Sequence, residues 1–129
     1  MAQEFNRTDR IADQMQRDLA ELIRSSLNDP RLGMVTVNQV TVARDLGYSD
    51  VYVTLLTAED LDADAEEVKT TIDILNGAAG FLRSELSRMI RLRTIPQLRF
   101  HFDASVKRGR KLDQLITKAR KKDNDQNEG

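Results

Sequence analysis

Cysteine and tryptophan are absent from this 129-residue sequence, proline occurs twice and histidine once. Without cysteine there is no disulfide framework and no thiolate metal site. The one histidine, His101, falls in an alternating apolar segment, whereas a general base or a metal site recruits more than one such group. Its expected place is on, or partly within, a sheet. No phosphate-binding glycine loop, dinucleotide fingerprint or nucleophile elbow occurs. No apolar run approaches the roughly 20 residues that span a bilayer, and the first ten residues lack the apolar stretch of a secretory leader. These absences point to a cytoplasmic, non-enzymatic, single-domain protein with no cofactor and no metal.

Charge is plentiful and unevenly placed. The formal net charge is −1, which alone argues against nucleic acid. Yet residues 81–122 carry 13 Lys+Arg against 3 Asp+Glu, and the remaining residues carry 7 against 18. This segregation predicts one basic and one acidic surface, with a field that orients the molecule toward a polyanion. Simple solvation of charged helices is the competing reading.

Helical spacing of Ile11, Met15, Leu19, Leu22 and Leu27 predicts a helix over residues 6–27, with Asn28-Asp29-Pro30 stopping it. A strand follows over residues 34–43. Val35 and Val37 alternate in one phase and Val40 and Val42 in the other, so a bulge or bend is expected near Asn38-Gln39. After a turn at residues 44–47, residues 49–57 form the second strand of an antiparallel hairpin. Leu61, Ala65, Val68, Ile72 and Leu75 then predict an acidic helix over residues 61–76, and Leu82, Leu86, Met89 and Ile90 a basic one ending near residue 92. Pro96 opens a last strand over residues 97–103, in which Leu98, Phe100 and Phe102 share the buried face. Ser105 is placed to cap a final basic helix containing Lys107, Arg108, Arg110 and Lys111. The order α-β-β-α-α-β with one sheet is an α+β architecture.

The junction Asn76-Gly77-Ala78-Ala79-Gly80 is the most informative segment. Glycine permits close backbone approach and positive φ at a cost of about 1 kcal/mol within a helix. The start of the following helix presents unpaired N–H groups that suit a phosphate, with Asn76 and Ser84 able to add hydrogen bonds. An ordinary kink or tight helix packing explains the same residues. Arg83, Arg88, Arg91, Arg93 and Arg99 converge into one patch if the second helix packs beside the last strand, and arginine suits bidentate phosphate contact. Phe100 and Phe102 are expected in the core, so recognition of RNA backbone and shape fits better than stacking on bases. Asp62, Asp64, Glu66 and Glu67 fit a solvated helix face better than a magnesium site.

Several stretches in order resemble one family: the Arg7–Asp9 start of the first helix, Asn28-Asp29-Pro30-Arg31-Leu32, Val35-Thr36-Val37, Val40 to Leu46, Val51-Tyr52-Val53, Leu75 to Leu86, Leu92 to Phe100, and Asp103-Ala104-Ser105. Together they are similar to ribosome-binding factor A over roughly residues 4–118. That resemblance implies a variant type-II KH-like domain, residues 1–118, in which a helical kink at Ala78-Ala79-Gly80 replaces the glycine loop of ordinary KH domains. A basic C-terminal helix or tail follows, residues 119–129 being polar and disordered. It implies a monomeric assembly factor that binds the free small (30S) ribosomal subunit and its 16S rRNA, with other assembly factors as further partners and no membrane. It also implies help with late rRNA maturation, including 5′-end processing, especially in the cold. The RNA-binding candidates are Asn76, Ala78, Ala79, Gly80, Arg83, Arg88, Arg91, Arg93, Arg99, Lys107, Arg108, Arg110 and Lys111. A general RNA chaperone, a protein adaptor using the acidic helix, and a magnesium-dependent nuclease are the rivals.

Overall fold

The computed structural model describes residues 7–27, 29–56, 61 and 63–105. Helix α1 spans Arg7–Ser26, strand β1 Val35–Val42, strand β2 Tyr48–Leu55, helix α2 Glu66–Gly77, helix α3 Ala79–Met89 and strand β3 Gln97–Phe102. The order of elements and the α+β class are those expected. The basic segment beginning at Lys107 and the tail over residues 119–129 lie outside the described residues.

In α1, Ile11, Met15, Leu19, Leu22 and Ile23 all turn inward, because steps of three and four residues stay on one side of a 3.6-residue helix. Asp9 in its first turn and Arg24 in its last complement the helix dipole. Beyond the helix, Asp29 builds the turn. Its carboxylate accepts the Arg31 backbone N–H and grips the Arg31 guanidinium at 3.1 and 2.8 Å. The side-chain and then the backbone hydrogen bond from Arg31 hold the Asp29 carboxyl down at about 2.

Strands β1 and β2 pair antiparallel, with a register shift between Val37 and Gln39. The bulge lets Val35 and Val37 before it, and Val40 and Val42 after it, all meet the core. The bulge is secured from both sides. Gln16 of α1 donates to the carbonyls of Val37 and Asn38, and the Asn38 amide donates to Thr54 and Asp103. Strand β3 lies parallel to β2, giving the order β1-β2-β3. A parallel neighbour needs a crossover, and α2 and α3 supply it. Helix α1 packs on β1 and α3, while α2 and α3 pack on β3. The core between them holds Met15, Leu19, Leu75, Leu82, Leu86 and Val51, all at 0% exposure. Each such leucine contributes about 1.5–3 kcal/mol over its exposed state.

Two boundaries differ from expectation. Helix α2 begins at Glu66 rather than Leu61, since the Leu61–Ala65 pair mimics one helical step without a polar side chain to cap it. Glu66 and Glu67 occupy its first turn, where the dipole favours them. Helix α3 stops at Met89, because Ile90 adopts an extended conformation (φ −110°, ψ 124°) and turns into the core. Met89, expected on the apolar face, is 45% exposed.

The sheet face away from the helices carries Tyr48, Asp50 and Tyr52 on β2 beside Gln97, Arg99 and His101 on β3. Asp50 accepts hydrogen bonds from Arg99 Nε and Nη2 at 3.0 and 3.2 Å. His101 Nε2 lies 2.8 Å from Asp50 Oδ1. Burial pushes the Asp50 carboxyl up, but the hydrogen bonds from His101 and Arg99 outweigh it and hold the group below its ordinary 3.8. A group lowered in the folded state contributes stability that is fully present above its ordinary value and is lost as pH falls through the folded one. The stability gap between wild type and Asp50→Asn should therefore be constant above that value and narrow below it. Urea unfolding from about pH 6 to about pH 2.5 reads this directly.

Candidate nucleic-acid interface

Helices α2 and α3 are joined by one residue. Ala78 sits at φ −92°, ψ 2°, outside helical geometry, yet the hydrogen-bond ladder runs past it. Its N–H donates to the Ile74 carbonyl at 3.0 Å, and its own carbonyl accepts from Leu82 at 2.9 Å. The junction is a kink in a nearly continuous helix. Ala78 and Ala79 are half-buried against the core, while Gly77 and Gly80 are exposed.

Among the described residues no glycine has positive φ. A methyl group built on Gly77 or Gly80 would meet nothing within 4 Å. The expectation that glycine is needed here for an unusual turn or tight internal packing is therefore not met. Both glycines instead leave bare backbone facing outward.

Polar side chains on either side of the kink fasten it to the sheet. Asn76 exchanges two hydrogen bonds with Phe100: its Oδ1 accepts from the Phe100 N–H at 2.8 Å, and its Nδ2 donates to the Phe100 carbonyl at 3.3 Å. Arg83, one turn beyond the kink, donates from Nε to the Ile95 carbonyl at 2.8 Å. The Asn76 amide is thus committed to the edge of β3, and half-buried Arg83 to the loop before it.

Between α3 and that loop lies a cleft of about 500 Å³, lined by Gly80, Arg83, Ser84, Ser87, Arg93 and Thr94, with Leu92 and Ile95. Leu92, Arg93 and Thr94 also line an adjoining cleft with Arg7 at the start of α1 and with Asp45 and Gly47 of the turn between β1 and β2, so that two cations face one carboxylate there. Two guanidinium groups and the Ser84 and Thr94 hydroxyls thus meet beside exposed glycine backbone, a set suited to phosphate oxygens, while the Ser87 hydroxyl donates to the Ser84 carbonyl at 2.6 Å. On the other flank of the kink, Asp29, Arg31, Thr70, Asp73 and Gly77 line a second cleft, in which carboxylates offset the one cation.

The expected arginine patch is only partly assembled. Arg83 and Arg93 meet in the groove. Arg88 is exposed on α3 and pairs with Glu85 at 3.7 Å, and Arg91 is exposed just past the helix. Arg99 does not join them. Leu98 and Phe100 face the helices, so alternation sends Arg99 to the opposite face, where Asp50 holds it. Lys107, Arg108, Arg110 and Lys111 lie outside the described residues. The sequence reading missed Arg7, Ser87 and Thr94, which only the docking of α1 and the 92–95 loop against α3 brings in. It also missed Phe81, 47% exposed beside Gly80; its place one turn from Gly77, off the Leu82–Leu86 stripe, was the available signal. Among the described residues no three His, Asp or Glu side chains are grouped to hold a metal ion, and no helix is long and apolar enough to cross a membrane.

A three-stranded sheet of this order, with a kinked helix pair on one face and basic groups at the kink, defines a KH-like α+β domain. The ribosome-binding factor A family model matches residues 7–116. Ribosome-binding factor A of Hahella chejuensis is 58% identical over 95% of this chain and 91% of its own length. A solution NMR structure of a Thermotoga maritima protein described as a putative ribosome-binding factor A is 34% identical, with a TM-score of 0.64 over 78% of this chain and 91% of that one. A homology model of the Thermus thermophilus factor, fitted into a cryo-EM map of a 30S complex, is 30% identical, with a TM-score of 0.56 over 72% and 91% of the two chains. The chain belongs to the ribosome-binding factor A family.

Two substitutions test the geometry. Asn76→Ala removes two hydrogen bonds to Phe100 and should cost about 1–3 kcal/mol, seen as a lower urea midpoint with unchanged slope. Gly80→Ala meets no neighbour and should raise stability by up to about 1 kcal/mol, seen as a higher midpoint.

Proposed function

We propose that this protein is a non-enzymatic assembly factor that docks on the free small ribosomal subunit through the kink and the adjoining basic groove. The observation that carries the reading is the groove itself, which brings Arg83, Ser84, Arg93 and Thr94 together beside the bare backbone of Gly80. Family membership and the 30S complex of the Thermus thermophilus relative support the choice of partner. Phosphate oxygens of 16S rRNA are the proposed ligands. Arg93 and Arg7 supply charge, while Asn76 and Arg83 hold the kink and the loop in place.

In this reading the factor binds one rRNA arrangement more tightly than another and so shifts the balance toward it, with no cofactor or metal. A role in late maturation and 5′-end processing of 16S rRNA, greatest in the cold, follows from the same preference, since misfolded RNA helices escape slowly at low temperature. Residues 1–118 are proposed as the monomeric ribosome-binding unit, acting in the cytoplasm, with 119–129 as an accessory tail.

Co-sedimentation with purified small subunits, large subunits and joined ribosomes across a salt series is the test. Wild type should favour free small subunits and bind less as salt rises. Arg93→Glu should weaken that binding by about an order of magnitude or more and flatten its salt dependence, the loss expected for a charge-assisted contact worth about 1.5–3 kcal/mol. Gly80→Ala should weaken it while leaving the fold more stable, a combination that a purely structural role for Gly80 does not produce. Equal binding of all variants would place the docking surface elsewhere.

A further inference from the structure

The fold leaves one organised surface that the kink and its groove do not use. Both tyrosines of the chain and its single histidine lie on the open face of the sheet, with Arg99 between them. Their order is not incidental to the ladder. In the β2–β3 register Tyr48 pairs with Gln97, Asp50 with Arg99 and Tyr52 with His101, so alternate residues of both strands stand on the same side. The Arg99 guanidinium lies 4.7 Å from the centre of the Tyr48 ring. The His101 and Tyr52 rings stack at 5.3 Å with 30° between planes. Asp50 ties Arg99 and His101 into the row.

Tyr48 is 46% accessible overall, the side chains of Arg99 and His101 are 53% and 45% accessible, and Tyr52, stacked on His101, is half-buried. Holding long exposed side chains in one geometry costs entropy that a surface ion pair barely offsets, and none of the described helices packs on this face. The neighbouring strand adds Gln39 beside Tyr52 and Thr41 beside Asp50, so the central rungs are polar, while the exposed Met34 and Leu56 lie at the far end of the same ladder. The one carboxylate in the row is already bonded to two cationic or donor groups. Planar rings, a planar guanidinium and amide and hydroxyl groups match unpaired nucleotides. Tyr48 and Tyr52 are separated by about 13 Å along the strand, room for two or three bases of an extended RNA.

We propose that the open face of the sheet, Tyr48, Tyr52, Arg99 and His101, is a second RNA-contact surface that stacks unpaired bases of a single-stranded RNA segment. This assignment rests on the protein being an RNA binder, but not on the groove beside the kink. The two surfaces lie on opposite sides of the sheet, so one molecule holds a structured RNA backbone with the helices and a single-stranded segment with the strands.

With no tryptophan in the chain, intrinsic emission comes from these two tyrosines alone. The full-length protein is titrated with an unstructured RNA of alternating cytidine and adenosine, about 12 nucleotides long, and with a duplex of the same length. Saturable quenching by the single strand, much deeper than by the duplex, together with a shift of the single His101 ring resonance, is the expected result. By anisotropy of labelled RNA, Tyr48→Leu combined with Tyr52→Leu should bind the single strand at least about tenfold more weakly. The double phenylalanine variant, which keeps the rings and the fold, should bind within about twofold of wild type. Arg93→Glu should leave the quenching in place even where small-subunit docking fails, which separates this surface from the groove. Unchanged emission and an unchanged histidine resonance while anisotropy reports binding would overturn the proposal. So would equal quenching by the duplex, equal losses in the leucine and phenylalanine variants, or the absence of any saturable change. An emission change produced by proteins extracted from small subunits but not by RNA would assign the face to a protein partner and also overturn it.

Discussion

The paired hydrogen bonds between the Asn76 amide and the Phe100 backbone set the position of everything at the kink. A strand edge has donors and acceptors pointing outward, and at the middle of β3 one asparagine answers both. The helix pair is thereby fixed at the last turn of α2, while Arg83 fastens the next turn to Ile95. Between these two points the chain has only Gly77, Ala78, Ala79 and Gly80, and the two alanines face the core. The glycines then have no task inside the fold, since each φ is ordinary and each absent side chain would meet open space. Bare backbone held rigidly at a surface is what close approach by a phosphate chain requires. In the proposed docking, Asn76 and Arg83 act as positioning residues, with Arg93 and Arg7 supplying charge to the groove.

Charge follows the same division. The acidic first turn of α2 and the basic last turn of α3 each satisfy the dipole of their own helix. Because these turns lie at the two ends of the pair remote from the kink, the charges are separated. The basic end lies beside the groove, and the acidic end lies away from it. A net charge of −1 therefore coexists with a locally cationic surface. In the proposed docking, such a field orients the molecule toward a polyanion without making it bind every polyanion tightly.

Much of this was legible in the sequence. Steps of three and four residues announce α1, and the phase change between Val37 and Val40 announces the Asn38 bulge, because period two cannot otherwise keep four valines on one side. Strand β3 was visible in its Leu-Arg-Phe-His-Phe alternation, and that alternation also holds the reason Arg99 leaves the arginine patch. Other features depend on contacts between distant segments, which a single sequence does not encode locally. The Asn76–Phe100 clamp spans 24 residues. Arg7 reaches the groove only because α1 packs on α3, and the Asp50–Arg99–His101 row forms only because β3 adds in parallel beside β2. The start of α2 was misjudged for a local reason: Leu61 and Ala65 imitate helical spacing, but no Ser, Thr, Asp or Asn side chain caps the helix at Ala65.

Hydrogen exchange of the protein alone and bound to purified small subunits measures the central claim most directly, residue by residue. If the kink is a rigid backbone cradle for rRNA, binding slows exchange at Gly77 to Ser84 and at the Arg93–Ile95 loop, while α1 from Met15 onward and the acidic first turn of α2 change little. Slowing confined to the acidic turn of α2, with Gly80 and Arg93 exchanging as in the unbound protein, would contradict it.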